Sequence, residues 1–257
     1  MTHVCDIYET MCRLAPPELQ LPLDNAGFLV GYADAACDKA LLALDLTDAV
    51  LDEAIGAGAT LIITHHPAIF DPLKTITDET PSGRRLLRLI ENRIAVISMH
   101  TNLDIAEGGV NDVLLALCGA RSEGALDENG CGRFGSLPAP LTLTAFLAQL
   151  SEKLQCYGLR YYDAGRPVKR LAVLGGAGAD SLARAAAFGC DSFLTADVKY
   201  HQFLAAEELG VNLIDGDHFG TENPVVHALL PKLQAAHPSV DFFISRVHGP
   251  CIRFWES

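Results

Sequence analysis

The chain has 257 residues, of which 49% are apolar and 20% charged, and 19 Lys and Arg against 32 Asp and Glu give a formal net charge of −13. This composition excludes a disordered chain, a coiled coil and a collagen-like repeat. The acidic balance disfavours a nucleic-acid partner, because no basic run offsets it. No apolar stretch reaches the roughly 20 residues of a membrane span, and no charged-then-apolar leader opens the sequence, so no membrane partner and a cytoplasmic location are expected.

In chain order, an apolar run at 41–46 reads as a strand, 48–57 as a helix and 60–64 as a second strand. A helix is expected over 82–92 with Ser82 as its N-cap, then a strand at 94–99 and a helix at 110–118. The segment 121–140, rich in Gly, Asp, Glu and Pro, reads as a connection. Strand and helix alternation restarts at 169–174, with a helix over 200–209 and a strand over 211–215. Eight cysteines occur singly without a CxxC pair, so neither a zinc ribbon nor a thioredoxin-type motif is available.

The restart partly copies the beginning. A shift of 131 residues (170 minus 39) lays Lys39-Ala40-Leu41-Leu42 over Arg170-Leu171-Ala172-Val173, and the segment 58–64 over 189–195. This reads as a duplication. The expected fold is α/β: two similar three-layer α/β/α domains, residues 1–122 and 123–257, the latter with a returning C-terminal segment, facing across a metal-bearing cleft.

Three expected strand ends carry imidazole with carboxylate or a second imidazole: Thr64-His65-His66-Pro67, then His100-Thr101-Asn102-Leu103-Asp104, then Asp217-His218-Phe219-Gly220-Thr221-Glu222. Ligands bind at the carboxyl ends of strands in open α/β sheets. Neighbouring histidines on an extended strand point to opposite faces, so His65 and His66 serve two ions, or one ion if the backbone turns at Pro67. A mixed N and O donor set suits hard to borderline divalent metals, here Zn, Fe or Mn. Five or six donors exceed the needs of one catalytic zinc and favour two ions about 3.5–4 Å apart, which acidify a shared water. Asp45 reads as an acid beside the site or as the cap of the next helix, and Asp24-Asn25 as cleft lining or a turn. Gly175-Gly176-Ala177-Gly178 reads as a tight turn or a phosphate loop. His3, His227, His237 and His248 read as surface or structural residues.

These blocks, together with Asp24-Asn25-Ala26-Gly27-Phe28-Leu29-Val30-Gly31 and Ala43-Leu44-Asp45-Leu46-Thr47, resemble the GTP cyclohydrolase 1 type 2 homologues, also called the NGG-interacting-factor-like family. The likeness runs from about residue 3 to the C-terminus, in the family's motif order. It implies a homohexamer with a dinuclear metal centre, two divalent ions per chain, ligated by His65, His66, Asp104, His218 and Glu222. Glu222, with Asp104 as a further candidate, would bridge the ions. His100 is implied beside the cluster as a general acid or base or as an orienter of Asp104. His201, in a block beginning Thr195-Ala196-Asp197, would protonate a leaving group or is a plain helix-surface histidine. Asp217 and Ala196 stand where the family commonly has glycine, and the chain lacks the long insertion of larger members.

Two functions are open to such a chain. One is a metal-dependent hydrolase that opens the guanine imidazole ring of GTP, or acts on a related nucleotide or phosphorylated small molecule, with Lys74, Arg84, Lys169, Arg170 and Lys199 as candidate phosphate partners. The other is a metal-stabilised oligomeric scaffold or regulator that binds proteins.

Overall fold

The computed structural model describes residues 1–156, 158–253 and 255. Its chain condenses into two compact units, Met1–Ala106 with Val226–Gly249, and Glu107–Val225 with Pro250–Ser257. The first boundary falls at 106, earlier than the expected 122, and the returning C-terminal segment gives its final strand to the first sheet.

The first unit runs α1 (Val4–Leu14), β1 (Gly27–Val30), β2 (Lys39–Ala43), α2 (Asp48–Ala57), β3 (Leu61–Thr64), α3 (Pro81–Glu91), β4 (Ala95–Ser98) and α4 (Thr101–Ile105). The second runs α5 (Val110–Leu117), β5 (Arg121–Ala125), β6 (Arg133–Leu141), α6 (Leu143–Leu154), β7 (Arg160–Tyr162), β8 (Val168–Val173), α7 (Leu182–Ala187), β9 (Ser192–Thr195), α8 (Tyr200–Leu209), β10 (Asn212–Asp215) and α9 (His218–Glu222). Then α10 (Pro224–Ala236) returns the chain to the first unit, where β11 (Asp241–Ile244) pairs in parallel with β2.

The first sheet has the order β1-β4-β3-β2-β11 and the second β5-β6-β8-β9-β10-β7. Both contain the same four-strand block: three parallel strands with an antiparallel strand beside the last of them. The match extends to register. Ala40 pairs with Leu61 and Leu171 with Ser192, so both partners are displaced by the same 131 residues (171 minus 40, 192 minus 61). The crossover helices follow suit. Leu41, Ile62 and Val96 point to the face covered by α2 and α3, and Ala172, Phe193 and Leu213 to the face covered by α7 and α8. On the second sheet's opposite face, Leu171, Val173, Leu194 and Ile214 pack against α5 and α6. Strands buried on both faces read as continuous apolar runs, which is why 41–46 and 60–64 were legible.

Two expectations change in detail. The segment 121–140 is not a bare connection: β5 and β6 form the antiparallel edge of the second sheet. Gly135 permits their close approach, since a Cβ there would lie 1.9 Å from the Arg121 carbonyl oxygen. The cap of α3 is Thr80, whose Oγ1 accepts from Gly83 N at 3.0 Å, with Pro81 opening the helix, and not Ser82. No helix among the described residues is long and apolar enough to cross a membrane.

Candidate metal centre

In the first unit β3 ends at Thr64, and the chain bends so that the N–H groups of His65 and His66 both donate to the Leu44 carbonyl, at 3.2 and 3.0 Å. Thr64 Oγ1 holds the bend by donating to the His66 carbonyl at 2.8 Å. The extended-strand geometry that would separate the two rings is thereby removed. Their centroids lie 5.0 Å apart, and the His100 ring is 5.2 Å from His65 and 5.6 Å from His66. One ligand atom from each of these three histidines falls within 4.8 Å of the others.

The orientation of each ring is fixed from behind. His65 Nδ1 is 2.8 Å from the Met99 carbonyl oxygen. A carbonyl only accepts, so Nδ1 carries the proton and Nε2 is left as a lone-pair donor. His66 Nδ1 is 2.6 Å from Asp45 Oδ1, and His100 Nδ1 is 2.7 Å from Asp24 Oδ1. Asp104, on the short helix α4, places Oδ1 3.6 Å from His65 Nε2. Burial opposes the charge on Asp24, but hydrogen bonds from His100 and from the Thr101 hydroxyl and amide outweigh it and hold the carboxyl well below its ordinary range. Asp45 behaves likewise, with His248 and His66 as its partners.

In the second unit β10 ends at Asp215. Asp217 then adopts φ +66° and caps α9 by accepting from Gly220 N at 3.2 Å. One helical turn later, His218 Nε2 lies 3.1 Å from Glu222 Oε2, while His218 Nδ1 lies 2.7 Å from Asp197 Oδ2. The hydrogen bond to Glu222 leads the causes that push His218 up to about 9; burial opposes them and Asp197 adds to them. Gly175 and Gly176 form a tightly packed turn after β8. A Cβ on Gly176 would sit 2.2 Å from Glu222 Oε1 and 3.2 Å from His218 Nε2. A side chain there would fill the space that these donors use.

All four histidines therefore turn Nδ1 to an acceptor, so Nε2 is the atom that would meet a ligand, in His218 once the proton shared with Glu222 is displaced. Metal-binding imidazoles are held in this way, by a carboxylate or carbonyl behind the ring. The donor chemistry fits borderline divalent ions, with His65, His66, His100 and Asp104 in one unit and His218 and Glu222 in the other.

Asp24 and Asp45, expected as cleft lining or a turn and as an acid beside the site or a helix cap, each hold a histidine ring, and Asp197, for which the sequence suggested no role, does the same for His218. His248, expected at the surface or in a structural role, has a side chain only 8% exposed and places Nε2 2.9 Å from Asp45 Oδ2. His201 is exposed in the first turn of α8. Of the basic residues considered for phosphate, Lys169 donates to the Leu137 and Pro138 carbonyls and Arg170 pairs with Glu123 at 2.8 Å. Both lie in the N-terminal half of β8, away from the strand end that leads to Gly175 and Gly176. Arg84 donates to the Asp78 carbonyl at 2.8 Å, and Lys74 and Lys199 are exposed.

Fold and site together define a two-sheet α/β protein whose strand ends present histidine and carboxylate groups that could hold a metal ion. The chain belongs to the Duf34/NIF3 (NGG1p interacting factor 3) family, whose model matches residues 2–250. It is 36% identical over 241 residues to a GTP cyclohydrolase 1 type 2 homolog of Clostridium acetobutylicum, covering 91% of this chain and 89% of that protein. To a protein of Helicobacter pylori named GTP cyclohydrolase 1 type 2 it is 36% identical over 227 residues, covering 86% and 88%. A solved Bacillus cereus protein related to NIF3 superposes with a TM-score of 0.91 at 23% identity, covering 99% of each chain, and so shares the fold.

Proposed function

We propose that this chain is a dinuclear divalent-metal hydrolase acting on GTP or a related nucleotide or phosphorylated small molecule. His65, His66, Asp104, His218 and Glu222 are its metal ligands. The observation that carries the reading is the shared anchoring of Nδ1 in His65, His66 and His218, which leaves three Nε2 atoms as donors. The name of the Helicobacter pylori relative supports the substrate class. When bound, the two ions supply Lewis acidity and lower the pKa of a water ligand towards neutrality.

The chain's own groups do the rest. Asp24 fixes His100 through Nδ1, so His100 exchanges a proton at Nε2 and acts as the general acid or base. His201 is the second proton donor in this reading, directed at the leaving group. Within a homohexamer, as the family resemblance implies, each chain carries its own set of ligands.

The scaffold reading draws on a different feature. An apolar cavity of about 360 Å³ is lined by Leu29, Val30, Ile69, Ile76, Leu86 and Ile90 among others, and Ile76 and Ile90 are 46% and 49% exposed. Such a surface suits a protein partner.

Metal analysis of the purified chain tests the proposal first. Close to two divalent ions per chain are expected, falling in His65→Ala and in Glu222→Ala. Content unchanged in both variants would remove the dinuclear centre. A panel of nucleotides and phosphate esters, assayed with each metal, then separates enzyme from scaffold. Turnover lost to a chelator and restored by a divalent ion is the expected result, and a panel without turnover on any member favours the scaffold.

A further inference from the structure

His248 lies four residues beyond β11, in the segment that returns to the first unit, and it has no place in the metal-ligand set. Its side chain is nonetheless 8% exposed and occupies a definite position. Nε2 is 2.9 Å from Asp45 Oδ2, while the other oxygen of the same carboxylate, Oδ1, is 2.6 Å from His66 Nδ1. A carboxylate only accepts, so both bonds require the proton on the histidine nitrogen; His248 Nε2 also lies 3.2 Å from the Asp45 amide N, which only donates, and the shorter, charge-assisted contact to Oδ2 decides for the protonated Nε2.

We infer that His248 is a positioning residue for His66, acting through Asp45. The inference rests on the reading of His66 as a metal ligand. The terminal torsion of an aspartate is broad, so a carboxylate held through one oxygen swings and carries its partner ring with it. A second bond on the other oxygen fixes the plane. The neighbouring histidines are secured by the same logic with different means. His65 is held by the main-chain carbonyl of Met99, which cannot swing. His100 is held by Asp24, whose second oxygen accepts from Thr101 N at 3.0 Å and from Thr101 Oγ1 at 2.6 Å. His248 does for Asp45 what Thr101 does for Asp24.

The segment that carries His248 is itself clamped. Ser245 N donates to the Leu42 carbonyl at 2.9 Å, extending the pairing of β11 with β2. Ser245 Oγ donates to Glu53 Oε2 at 2.6 Å, and Arg246 N to Glu53 Oε1 at 3.0 Å. His248 N donates back to Ser245 Oγ at 3.2 Å. A path of hydrogen bonds thus runs from Glu53 on α2, through the segment after β11, to the ring of His66. The path ends on the ring of His66, so its effect falls on how firmly His66 holds an ion.

The test uses the full chain, stripped of metal and titrated with Co²⁺ and with Zn²⁺ in competition with a chromophoric chelator. In His248→Ala the dissociation constant is expected to rise about 10- to 100-fold, the range for loss of a group behind a metal ligand, and the visible absorption of bound Co²⁺ to change. His248→Gln, which retains an N–H donor, restores affinity towards wild type. The melting temperature of the metal-free chain serves as the control, because a purely structural role would lower it and leave affinity unchanged. Wild-type affinity in a folded His248→Ala overturns the inference, and so does an equal loss in the Ala and Gln variants. Should His248→Ala not fold, Glu53→Ala, which releases only Ser245 and Arg246, must weaken Co²⁺ binding in the same direction, and unchanged binding there overturns it. A wild-type chain that takes up neither ion would instead sink the metal reading on which the inference rests.

Discussion

His218 Nε2 and Glu222 Oε2 stand 3.1 Å apart across one turn of α9, with Glu222 buried and Asp197 behind the imidazole ring. In the metal-free protein this pair holds a proton. Two acids favour the imidazolium and raise His218 from 6.5 to about 9. A group whose folded pKa is raised gives stability that is complete below its unfolded value and disappears as pH climbs to the folded value. The metal-free chain should therefore lose this contribution between pH 6.5 and about 9. Thermal melts of chelator-treated wild type and His218→Asn should differ most near pH 6 and converge above pH 9. A divalent ion at His218 has to displace the same proton, so metal affinity should rise across that window. Curves that stay parallel from pH 6 to 9.5 would contradict the assignment.

Asp24 has the opposite sign. Its folded pKa is depressed by His100 and Thr101, so its stabilisation is present above the unfolded value near 3.9 and lost as pH falls below it. Replacing it with Asn removes charge-assisted bonds worth about 2 kcal/mol. The neutral amide also has only one oxygen, so it cannot accept from His100 and Thr101 as the carboxylate does with two. Urea titrations at pH 7 should show the loss in Asp24→Asn, and the gap between wild type and variant should narrow on going to pH 3.

The duplication shows how far the sequence could be read. The shift of 131 residues found between two short stretches is the same shift that relates the strand registers Ala40 with Leu61 and Leu171 with Ser192. That was legible because buried parallel strands are written as apolar runs. At the next strand the shift becomes 117 residues (212 minus 95), since the connection through α8 is shorter than the one through α3. With that shift α4 falls on α9, Thr101 on His218 and His100 on Asp217. The two halves thus carry different donors at corresponding places, and no self-comparison of the sequence finds them by identity. The ligand candidates themselves were visible as imidazole and carboxylate at strand ends. Their orienters were visible only in part: Asp45 read as an acid beside the site and Asp24 as cleft lining, but the ring each one holds was not legible. Asp45 and His248 are 203 residues apart, and His100 and Asp24 are 76 apart, so only the folded chain brings each pair together.

Asp217 stands where the family resemblance places a glycine, and its φ of +66° with ψ 140° is a conformation that glycine adopts at less cost. Holding Asp there costs about 1–3 kcal/mol. Its cap bond to Gly220 N returns about 1 kcal/mol, and glycine at a cap position loses only a few tenths. Asp217→Gly should therefore leave stability unchanged or raise it by up to about 1 kcal/mol. Asp217→Ala keeps the strain and loses the cap, so it should cost about 1 kcal/mol. Guanidinium unfolding of the two variants distinguishes them, and equal destabilisation in both would mean that the turn is not strained.

Gly176 offers the sharpest separation between fold and site. Its φ of +65° penalises any side chain by about 1–2 kcal/mol, and a methyl group would also collide with Glu222 Oε1 at 2.2 Å. Gly165 and Gly189 share the positive φ, at +69° and +74°, but a Cβ on either meets no atom within 4 Å. Ala at 165 or 189 should therefore cost stability alone. Gly176→Ala should cost a similar amount and in addition push the Glu222 carboxylate out of reach of His218, lowering metal content after dialysis against limiting Zn²⁺. The three Ala variants, alike in φ, differ in whether the new methyl group enters the space beside Glu222. Equal zinc content in all three would show that the turn at Gly176 serves packing and leaves the metal donors untouched.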